Sequence, residues 1–517
     1  MKIFLVRHGE SVGNTKRGFI SGRSDTQGLT IKGKSQVARA AFTLDGLPIK
    51  TVITSPVVRA KESAEILQRI LCAPVVVDVS LSELDHGVIE GHYWWEMRDR
   101  FPPNWRKNLR EDYKTRYEGG ESFKELAKRV YDGYQKILKN YSGDILLVTH
   151  QAILATLIYC HTKGNPDDDA LSYMEFVHST FTSNAAIVEL DVATKKHTLR
   201  KLSLPPLEAN TDAVKIYVKG VVETSSADLN AERLTTFSRN HVFLVKNSRS
   251  LLFKLLSDEG TLGGERLASM YTFLEKNNSI PAPHLIHFDP SGVFFKDAVF
   301  ILDYLMGDSI VTCLANHPER MNKLHHELYE TVIAIHSLPV SAVESFWSPH
   351  DWGKAARPVW EDYIGSQIDT IVTRLPEFKL KEKTCAKIVS SLTSLKNYLS
   401  SASRWVPLHG DFAPQNLIVE HKNEVCRLIR IIDFERARIG DGLWDLVFYF
   451  GWLERANEKA AANWKTICFN NLRGNEKKHF EEYRMLFHAW TVLDMLDYKG
   501  NEKRKEVAMV SKKLLEK

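Results

Sequence analysis

Five side chains suited to phosphate chemistry follow apolar, strand-like segments in the first 150 residues of the sequence. They are Arg7, His8, Arg59, Glu83 and His150. Two guanidinium groups suit a phosphate dianion, and an imidazole can accept a phosphoryl group in covalent catalysis. A carboxyl group nearby can protonate the leaving alkoxide and then activate a water molecule. These residue types together predict phosphoryl transfer to a histidine.

A second set lies near the other end of the chain, around "LHGDFAPQNLIVE". Two predicted strands, 417–420 and 428–432, form a hairpin whose open end carries Asn416 and Asp433. An amide oxygen and a carboxylate placed there are suitable ligands for Mg²⁺, which prefers oxygen. Asp411, five residues before Asn416, is free to accept a proton from an incoming hydroxyl. This is the division of labour of a kinase catalytic loop.

A kinase also needs a lysine for the nucleotide phosphates. Lys254 lies within the apolar strand "SLLFKLL", which is the setting that such a lysine requires. Glu265, near the start of the following helix, could pair with it. The alternative for Lys254 is an edge-strand lysine whose charged end reaches solvent.

The elements that must position the first set alternate along residues 1–202. Apolar strands predicted at 2–6, 51–55, 74–79 and 144–149 are separated by helices predicted at 34–45, 57–71 and 121–140, and a hairpin closes the series at 184–202. This alternation predicts an α/β domain with a mainly parallel sheet covered on both faces. Because ligands bind at the carboxyl ends of such strands, the five side chains should meet at one rim.

The pattern changes after a proline-containing linker predicted at 203–212. Short strands predicted at 213–220, 241–247, 250–257, 285–289 and 298–304, with one helix at 262–277, indicate an antiparallel sheet. Long helices follow from about 307 to 404. We therefore predict a two-lobed domain at 213–517, with a smaller lobe at about 213–304 and a larger one at about 305–517.

Bulk composition narrows the functional class. The chain has 517 residues, enough for two or three domains, and its net charge is only +5. No basic stripe interleaved with aromatic residues favours nucleic acid, and no apolar span is long enough for a transmembrane helix. The six cysteines form no CxxC pair, so we expect neither zinc nor a disulfide framework. These features fit a cytoplasmic protein in a reducing compartment.

The segments "RHGES", "SPVVRAKESAEIL", "LSELDHGVIEG", "GGESF" and "VTHQAI" resemble the phosphoglycerate-mutase-like branch of the histidine phosphatase superfamily. The resemblance implies a three-layer αβα fold over about 1–200. It implies that His8 is the phosphorylated nucleophile, that Glu83 is the general acid and base, and that no metal or other cofactor takes part. By the same resemblance the phosphoryl group is bound by Arg7, Asn14, Arg59 and His150.

Phosphatase and mutase remain two readings of this domain. The family's mutases carry a basic stretch after the glutamate to hold a second phosphate. Here "GHYWWEMRDRFPPNWRKNLR" has five basic residues that are diluted by Trp94, Trp95 and Trp105. The form "SELDHGVIEG" is more similar to the phosphatase branch, so we favour a phosphomonoesterase.

The segment from about 213 to 517 resembles the aminoglycoside phosphotransferase/choline kinase family, which has a protein-kinase-like α+β fold. "HGDFAPQN" resembles its catalytic motif and "IDFERARIGDGLWDL" its metal-binding segment. The resemblance implies that Asp411 is the catalytic base, that Asn416 and Asp433 bind Mg²⁺, and that Lys254 with Glu265 aligns ATP. Asp441 and Asp445 are expected to be structural, as is His409.

The sequence departs from the kinase pattern at the phosphate-covering loop. "TTFSRNHVFLV" (235–245) replaces a G-x-G-x-x-G loop, and Ser238 and Asn240 are its candidate phosphate contacts. The sequence also leaves open which molecule accepts the phosphoryl group. An amine could be bound by a cage of Trp347, Trp352 and Trp360 with neighbouring acidic residues, although helix packing is the preferred explanation for these tryptophans. Asp494 and Asp497 are further acidic candidates for binding the acceptor, and they are equally ambiguous.

Together these features predict a bifunctional enzyme with a small phosphomonoester, a small-molecule alcohol and ATP as substrates. It could move a phosphate between positions of one metabolite, or it could be an opposed pair that sets one phosphorylation level. In an alternative of a different class, the kinase-like domain keeps its fold but is not catalytic, and it binds a nucleotide to regulate the phosphatase. Protein phosphorylation is disfavoured because no activation segment follows Asp433. The sequence does not predict an oligomeric state.

Overall fold

A computed structural model describes residues 1–24, 26–101, 113–200, 206–222, 229–234, 241–246, 249–256, 261–277, 279–316, 321–343, 360–401, 405–422, 425–497 and 502–517. By internal contacts the chain forms two compact units. The first contains residues 1–257 and 287–301, and the second contains residues 258–286 and 302–517. No helix among the described residues is long and apolar enough to cross a membrane.

The first sheet has six strands in the order β3-β2-β4-β1-β5-β6. The strands are β1 Lys2–Arg7, β2 Ile49–Thr54, β3 Val75–Val77, β4 Asp144–Thr149, β5 Ile187–Asp191 and β6 Lys196–Arg200. β1 to β4 are parallel to one another, and β5 and β6 add an antiparallel edge. The predicted mainly parallel sheet with a closing hairpin is present.

Helices connect these strands: α1 Val12–Thr15, α2 Ile31–Leu44, α3 Val58–Leu71, α4 Met97–Arg100, α5 Phe123–Asn140, α6 Gln151–Thr162 and α7 Ala170–Ser179. The start of α5 is fixed by a capping box in which Ser122 and Glu125 satisfy each other's backbone N–H groups. The apolar face of α5 packs with α6 in a core of fully buried side chains from β1 and β4. This packing holds the sheet rim rigid.

Residues 213–220, predicted as a strand, belong to a helix, α8 Thr211–Val221. That prediction was wrong because the apolar residues of this segment follow the period of a helix and not the two-residue period of a strand. Ala213, Val214, Tyr217 and Val218 instead share one buried helical face, and the Asn210 side chain accepts from the backbone N–H groups at the first turn. α8 packs on α2 and α3 on one side and on β7 on the other.

The second sheet is the antiparallel sheet of the smaller lobe, in the order β10-β11-β9-β8-β7. Its strands are β7 Asn230–Arg233, β8 His241–Lys246, β9 Leu251–Leu256, β10 Leu285–Asp289 and β11 Ala298–Asp303, and α9 Thr261–Glu275 lies between β9 and β10. These bounds agree closely with the predicted strands after residue 240.

The larger lobe is mostly helical. Its elements are β12 Asp308–Ser309, α10 Ile310–Asn316, α11 Met321–His336, α12 Val340–Val343, α13 Trp360–Arg374, α14 Glu382–Ser401, β13 Val406–Leu408, β14 Leu417–Lys422, β15 Val425–Ile431, β16 Arg438–Gly440, α15 Leu443–Ala456, α16 Glu458–Asn471, α17 Glu476–Asp497 and α18 Glu502–Glu516. β14 and β15 form the predicted hairpin with a shorter turn than expected, since both strands extend into 421–426.

Cys313 of α10 and Cys426 of β15 are paired as a disulfide, which the scattered cysteines of the sequence did not predict, and the other four cysteines are free. The two residues are 113 positions apart, and only the packing of α10 beside the β14–β15 hairpin brings them together. Their spacing along the chain therefore gave no signal.

Candidate functional site

The rim of the first sheet carries the predicted phosphate site. The register pairs Arg7 at the end of β1 with Thr149 at the end of β4, so His8 and His150 follow neighbouring strands. Their rings lie with centroids 5.1 Å apart. Ser55, which follows β2, donates its backbone N–H to the carbonyl of Val148, which places it at the same edge. The structure thus brings the strand-end residues together.

His8 is held in one orientation by two hydrogen bonds. Its Nδ1 lies 2.7 Å from the carbonyl oxygen of Gly9, and its Nε2 accepts a hydrogen bond from Arg59 Nε at 3.1 Å. The proton therefore belongs on Nδ1, and the lone pair on Nε2 faces the guanidinium. Burial, reinforced by the charges of Arg59 and Arg7, holds the pKa of His8 well below its ordinary value, so the ring is neutral.

Close backbone packing explains why a glycine, Gly9, follows His8. A Cβ at Gly9 would lie 2.3 Å from the carbonyl oxygen of Gly33, and one at Gly33 would lie 2.0 Å from that of Glu10. The turn after His8 therefore packs backbone to backbone on the first turn of α2. This close contact fixes the Gly9 carbonyl that orients the His8 ring.

The two arginines lie at the rim, Arg59 buried and Arg7 partly buried. Arg7 Nη1 donates to the carbonyl of Thr182 at 2.5 Å, while its Nε is buried without a hydrogen-bond partner. Arg59 Nη2 donates to the carbonyl of Gly22 at 2.6 Å. These backbone carbonyls orient the two guanidinium groups, which as cations can make charge-assisted hydrogen bonds to a phosphate.

His150 is fully buried at the N-cap position of α6. Its Nε2 lies 2.8 Å from Ser55 Oγ, and its Nδ1 makes no hydrogen bond within the described residues. Burial and the Arg59 charge hold its pKa well below the ordinary value. A buried nitrogen with an unsatisfied hydrogen bond costs free energy unless a ligand completes it.

Asn14 lies on α1 with its amide oxygen fully engaged. Oδ1 accepts from the backbone N–H and the hydroxyl of Ser11 and from Asn184 Nδ2. The side-chain NH₂ is therefore the group of Asn14 that is left to donate to a phosphate.

Glu83 follows a 3₁₀ turn after β3 and is partly buried. Burial raises the pKa of its carboxyl group, although the charges of Arg59 and Arg7 act in the opposite direction. Its Oε1 accepts from the backbone N–H of Leu84 at 2.9 Å. A carboxyl group that retains its proton to higher pH beside a neutral imidazole is suited to act as a general acid.

Three residues that the sequence analysis did not single out hold the loop that carries Glu83. Arg23 Nε donates to the carbonyl of Glu83, and Arg129 Nη1 donates to the carbonyls of Ser80 and Ser82. Glu121 joins them, because its Oε2 accepts from both guanidinium groups, at 2.9 and 2.7 Å. The sequence offered one signal for this network, which is the opposite charges of Arg23 in "SGRSD" and Glu121 in "GGESF".

The second candidate site is the loop between β13 and β14. Asp445 is fully buried and accepts from the backbone N–H groups of His409 and Gly410 at 2.8 and 2.9 Å. His409 Nδ1 accepts from the N–H of Asp411 at 3.3 Å, and its Nε2 lies 3.0 Å from the carbonyl of Ile432. Asp445 and His409 thus position the loop, in the structural roles expected for them.

Asp411, Asn416 and Asp433 lie around the open end of the hairpin. Asn416 Nδ2 donates to the main-chain carbonyl of Asp411 at 2.9 Å, and the carbonyl of Asn416 accepts from the N–H of Ile432, next to Asp433. Burial raises the pKa of Asp411, although the positive charge of Arg436 acts in the opposite direction, and the nearby Asp433 charge adds to the rise. Since the amide nitrogen of Asn416 is engaged, its side-chain oxygen and the Asp433 carboxylate are groups of the kind that Mg²⁺ prefers, and the magnesium site stays a prediction.

The remaining candidates stay predictions. Lys254 lies in β9 opposite Val242 and is partly buried, and Glu265 is exposed on α9. Ser238, Asn240, Trp347 and Trp352 lie outside the described residues. Trp360 is buried, with its indole N–H donating to the hydroxyl of Tyr483, which is the packing role preferred for it.

Comparisons with known proteins match two separate parts of the chain to two families. Residues 3–204 match the family model for the histidine phosphatase superfamily (branch 1), and residues 235–466 match the model for the phosphotransferase enzyme family. A probable phosphoglycerate mutase from Salmonella choleraesuis (strain SC-B67) is 34% identical over 160 residues, which is 31% of this chain and 73% of that protein. One from Enterobacter sp. (strain 638) is 30% identical over 200 residues, 37% of this chain and 92% of that protein.

A comparison with solved structures also found matches to both parts of the chain. The alpha-ribazole phosphatase from Shigella flexneri is 25% identical with a TM-score of 0.34, covering 39% of this chain and 95% of that one. A thermostable mutant of aminoglycoside phosphotransferase APH(4)-Ia, in a ternary complex with ADP and hygromycin B, is 14% identical with a TM-score of 0.42. That match covers 58% of this chain and 96% of the other.

Proposed function

Because this chain joins a domain of the histidine phosphatase superfamily to a domain of the phosphotransferase enzyme family, we propose that it is a bifunctional enzyme. One half hydrolyses a small phosphomonoester, and the other transfers a phosphoryl group from ATP to a small-molecule hydroxyl. The joining of the two halves in one polypeptide supports a shared metabolic pathway.

The observation that carries the phosphatase half is the hydrogen bonding of His8. A neutral ring with its lone pair on Nε2, beside two buried guanidinium groups, can attack phosphorus without first losing a proton. Glu83 protonates the departing alkoxide, the phosphoryl group passes to Nε2, and Glu83 then takes a proton from the water that hydrolyses the phosphohistidine. Arg7, Arg59, Asn14 and His150 hold the phosphoryl oxygens.

A mutase is the second candidate, because the two relatives described above are named probable phosphoglycerate mutases. A mutase must hold a second phosphate after the glutamate. Of the basic residues there, Arg100 pairs with Glu96 at 3.7 Å, whereas Arg106, Lys107 and Arg110 lie outside the described residues. Hydrolysis therefore stays the favoured activity on the form of "SELDHGVIEG", and release of inorganic phosphate rather than an isomeric ester distinguishes the two reactions.

In the kinase half, Asp411 takes the proton of the acceptor hydroxyl as that oxygen attacks the γ-phosphorus of ATP. Asn416 and Asp433 would hold Mg²⁺, which neutralises phosphate charge when bound. Lys254, aligned by Glu265, and the segment containing Ser238 and Asn240 would contact the nucleotide phosphates. The phosphatase half requires no metal in this proposal.

A metabolite screen of two full-length variants tests the shared pathway. With His8→Ala, only ATP-dependent products should accumulate, and with Asp411→Asn, only dephosphorylated ones. We expect the two reactions to involve one metabolite or its direct product, as measured by mass spectrometry of a small-molecule extract. Chemically unrelated substrates for the two variants would contradict the pathway proposal.

The phosphatase rate should fall as pH rises, because the raised pKa of Glu83 keeps its carboxyl protonated in acid and the acid form is lost above that pKa. The low pKa of His8 keeps the nucleophile neutral throughout this range. We expect kcat/KM for an alkyl phosphate to decline through the Glu83 titration, and Glu83→Gln to lower the rate about 10²- to 10⁴-fold and remove the decline. The measurement is the pH profile of kcat/KM.

The matched control is a second ester. p-Nitrophenyl phosphate has a leaving group that needs little protonation, so Glu83→Gln should affect it much less than the alkyl ester. An unchanged alkaline decline in Glu83→Gln, beyond the titration of the substrate itself, would show that another group is the acid.

A further inference from the structure

A pocket lies next to the proposed catalytic base of the kinase half. It is a small cavity of about 20 Å³ that opens to solvent, and the residues that matter here are Tyr363, Gly410, Arg436, Arg438, Trp444 and Trp490. Gly410 directly precedes Asp411, so a molecule bound at the mouth, with one small group inside the cavity, is beside the group that would accept its hydroxyl proton.

Two arginines give the pocket its charge. Arg436 is exposed, whereas Arg438 is 2% exposed, and its Nη1 makes no hydrogen bond within the described chain. Arg438 Nε donates to the carbonyl of Arg436 at 3.2 Å, and its guanidinium lies 4.4 Å from the centre of the Tyr363 ring. The stacking holds Arg438 in place but leaves its Nη1 donor unsatisfied, which is costly for a buried charged group.

The arginine segment and the catalytic loop are in direct contact. Gly410 has φ +78°, and a Cβ there would lie 2.0 Å from the carbonyl oxygen of Arg436. Trp444, which also lines the pocket, donates from Nε1 to the carbonyl of Gly410 at 3.3 Å. A group bound by Arg436 and Arg438 is therefore held at a fixed position relative to Asp411.

The charges of the pocket select against an amine. No Asp or Glu is among the described residues that line it, and neither Arg436 nor Arg438 forms an ion pair within that part of the chain. An ammonium group in the pocket would meet two guanidinium groups, of which Arg436 interacts electrostatically with the neighbouring Asp411. A phosphate or carboxylate would instead receive charge-assisted hydrogen bonds. Tyr363, Trp444 and Trp490 add an apolar wall.

We propose that the phosphoryl acceptor carries an oxyanion, a phosphate or a carboxylate, in addition to its reacting hydroxyl, and that Arg438 and Arg436 bind it. This inference rests on the proposed kinase function. The acceptor oxygen forms a bond to the γ-phosphorus, the bond from that phosphorus to ADP breaks, and the hydroxyl proton passes to Asp411. In the phosphate case the product is a bisphosphate, a type of ester that the other half of the chain is proposed to hydrolyse.

The test measures ADP release by the full chain carrying His8→Ala, so that acceptors are not dephosphorylated. The acceptors are compared by charge. The neutral alcohols are ribose and glycerol, the anionic ones are ribose 5-phosphate, glycerol 3-phosphate and glycerate, and the cationic ones are glucosamine, choline and kanamycin. We expect anionic members to exceed their neutral counterparts at least tenfold in kcat/KM. Comparison of the phosphate and carboxylate members identifies which oxyanion is bound.

Variants separate binding from folding. Arg438→Gln should raise the KM for the anionic acceptor at least tenfold, with the KM for ATP unchanged within twofold, and Arg438→Lys should recover part of the loss. The exposed Arg436→Gln gives a second test at a position that tolerates substitution, and Arg427→Gln, on an arginine whose side chain is 76% exposed, is the control.

Preference for an amine-bearing or neutral member, or a rise in the KM for ATP instead of the acceptor, would overturn the inference. Failure of the kinase proposal itself gives a different result. In that case ADP release would not depend on Asp411 with any acceptor.

Discussion

Replacing His8 with alanine is expected to lower phosphatase activity about 10³-fold or more, because removal of a covalent nucleophile leaves only substrate binding and charge stabilisation. The same change should abolish labelling of the protein by a ³²P-phosphomonoester. The label should remain on the wild-type protein after alkaline denaturation, where an N–P bond survives. Hydrolysis rate and retained label are measured on the same samples.

The control is His197→Ala, which removes an exposed histidine of the same domain and should leave both readouts unchanged. Since His8 is buried, His8→Gln is tested beside it to preserve volume, and thermal melting confirms that each variant folds. Full activity or full labelling in both His8 variants would exclude His8 as the nucleophile.

Replacing Asp411 with asparagine is expected to lower ATP-dependent transfer about 10²- to 10⁴-fold, which is the usual contribution of a positioned base. Binding of Mg-ATP, measured by calorimetry, should survive. The reason is that the loop contacts of Asp411 use its main chain: its carbonyl accepts from Asn416 Nδ2 and from the N–H of Ala413. Asparagine keeps these main-chain contacts, and it loses the proton acceptor together with the negative charge that faces Arg436.

The control is Asp369→Asn, which changes an exposed aspartate paired with Lys396 on the surface, where an ion pair contributes little. ATP turnover that persists in Asp411→Asn would contradict a catalytic role. Mg-ATP binding without turnover in the wild-type protein, together with an effect of ATP on phosphatase rate, would instead favour the nucleotide-sensor hypothesis.

Much of the first site could be predicted because parallel-sheet topology converts sequence into position. Once the strands ending at Arg7 and at Thr149 are taken as parallel neighbours, His8 and His150 must follow at one rim, and their rings are indeed adjacent. The tautomer of His8 could not be predicted in this way. It depends on the Gly9 carbonyl, whose position is set by backbone contact with α2.

The sequence failed where tertiary packing decides between local patterns. Residues 213–220 have the composition of a strand, yet their apolar side chains fill a helical face against α2 and α3. Likewise, the pairing of Cys313 with Cys426 and the meeting of Arg23 and Arg129 at Glu121 join positions far apart in sequence. Such contacts follow from the packed fold and have no spacing signature.

The position of α8 has a consequence for how this gene could have been assembled. Gly220 packs on Ala38, Ile66 and Ile70, and Arg69 donates to the carbonyls of Lys219 and Gly220, while the same helix touches β7. Splitting the reading frame on either side of α8 leaves one product with a bare hydrophobic surface. Selection would therefore oppose division of the reading frame into two genes, and the two domains are inherited as one locus with fixed one-to-one stoichiometry.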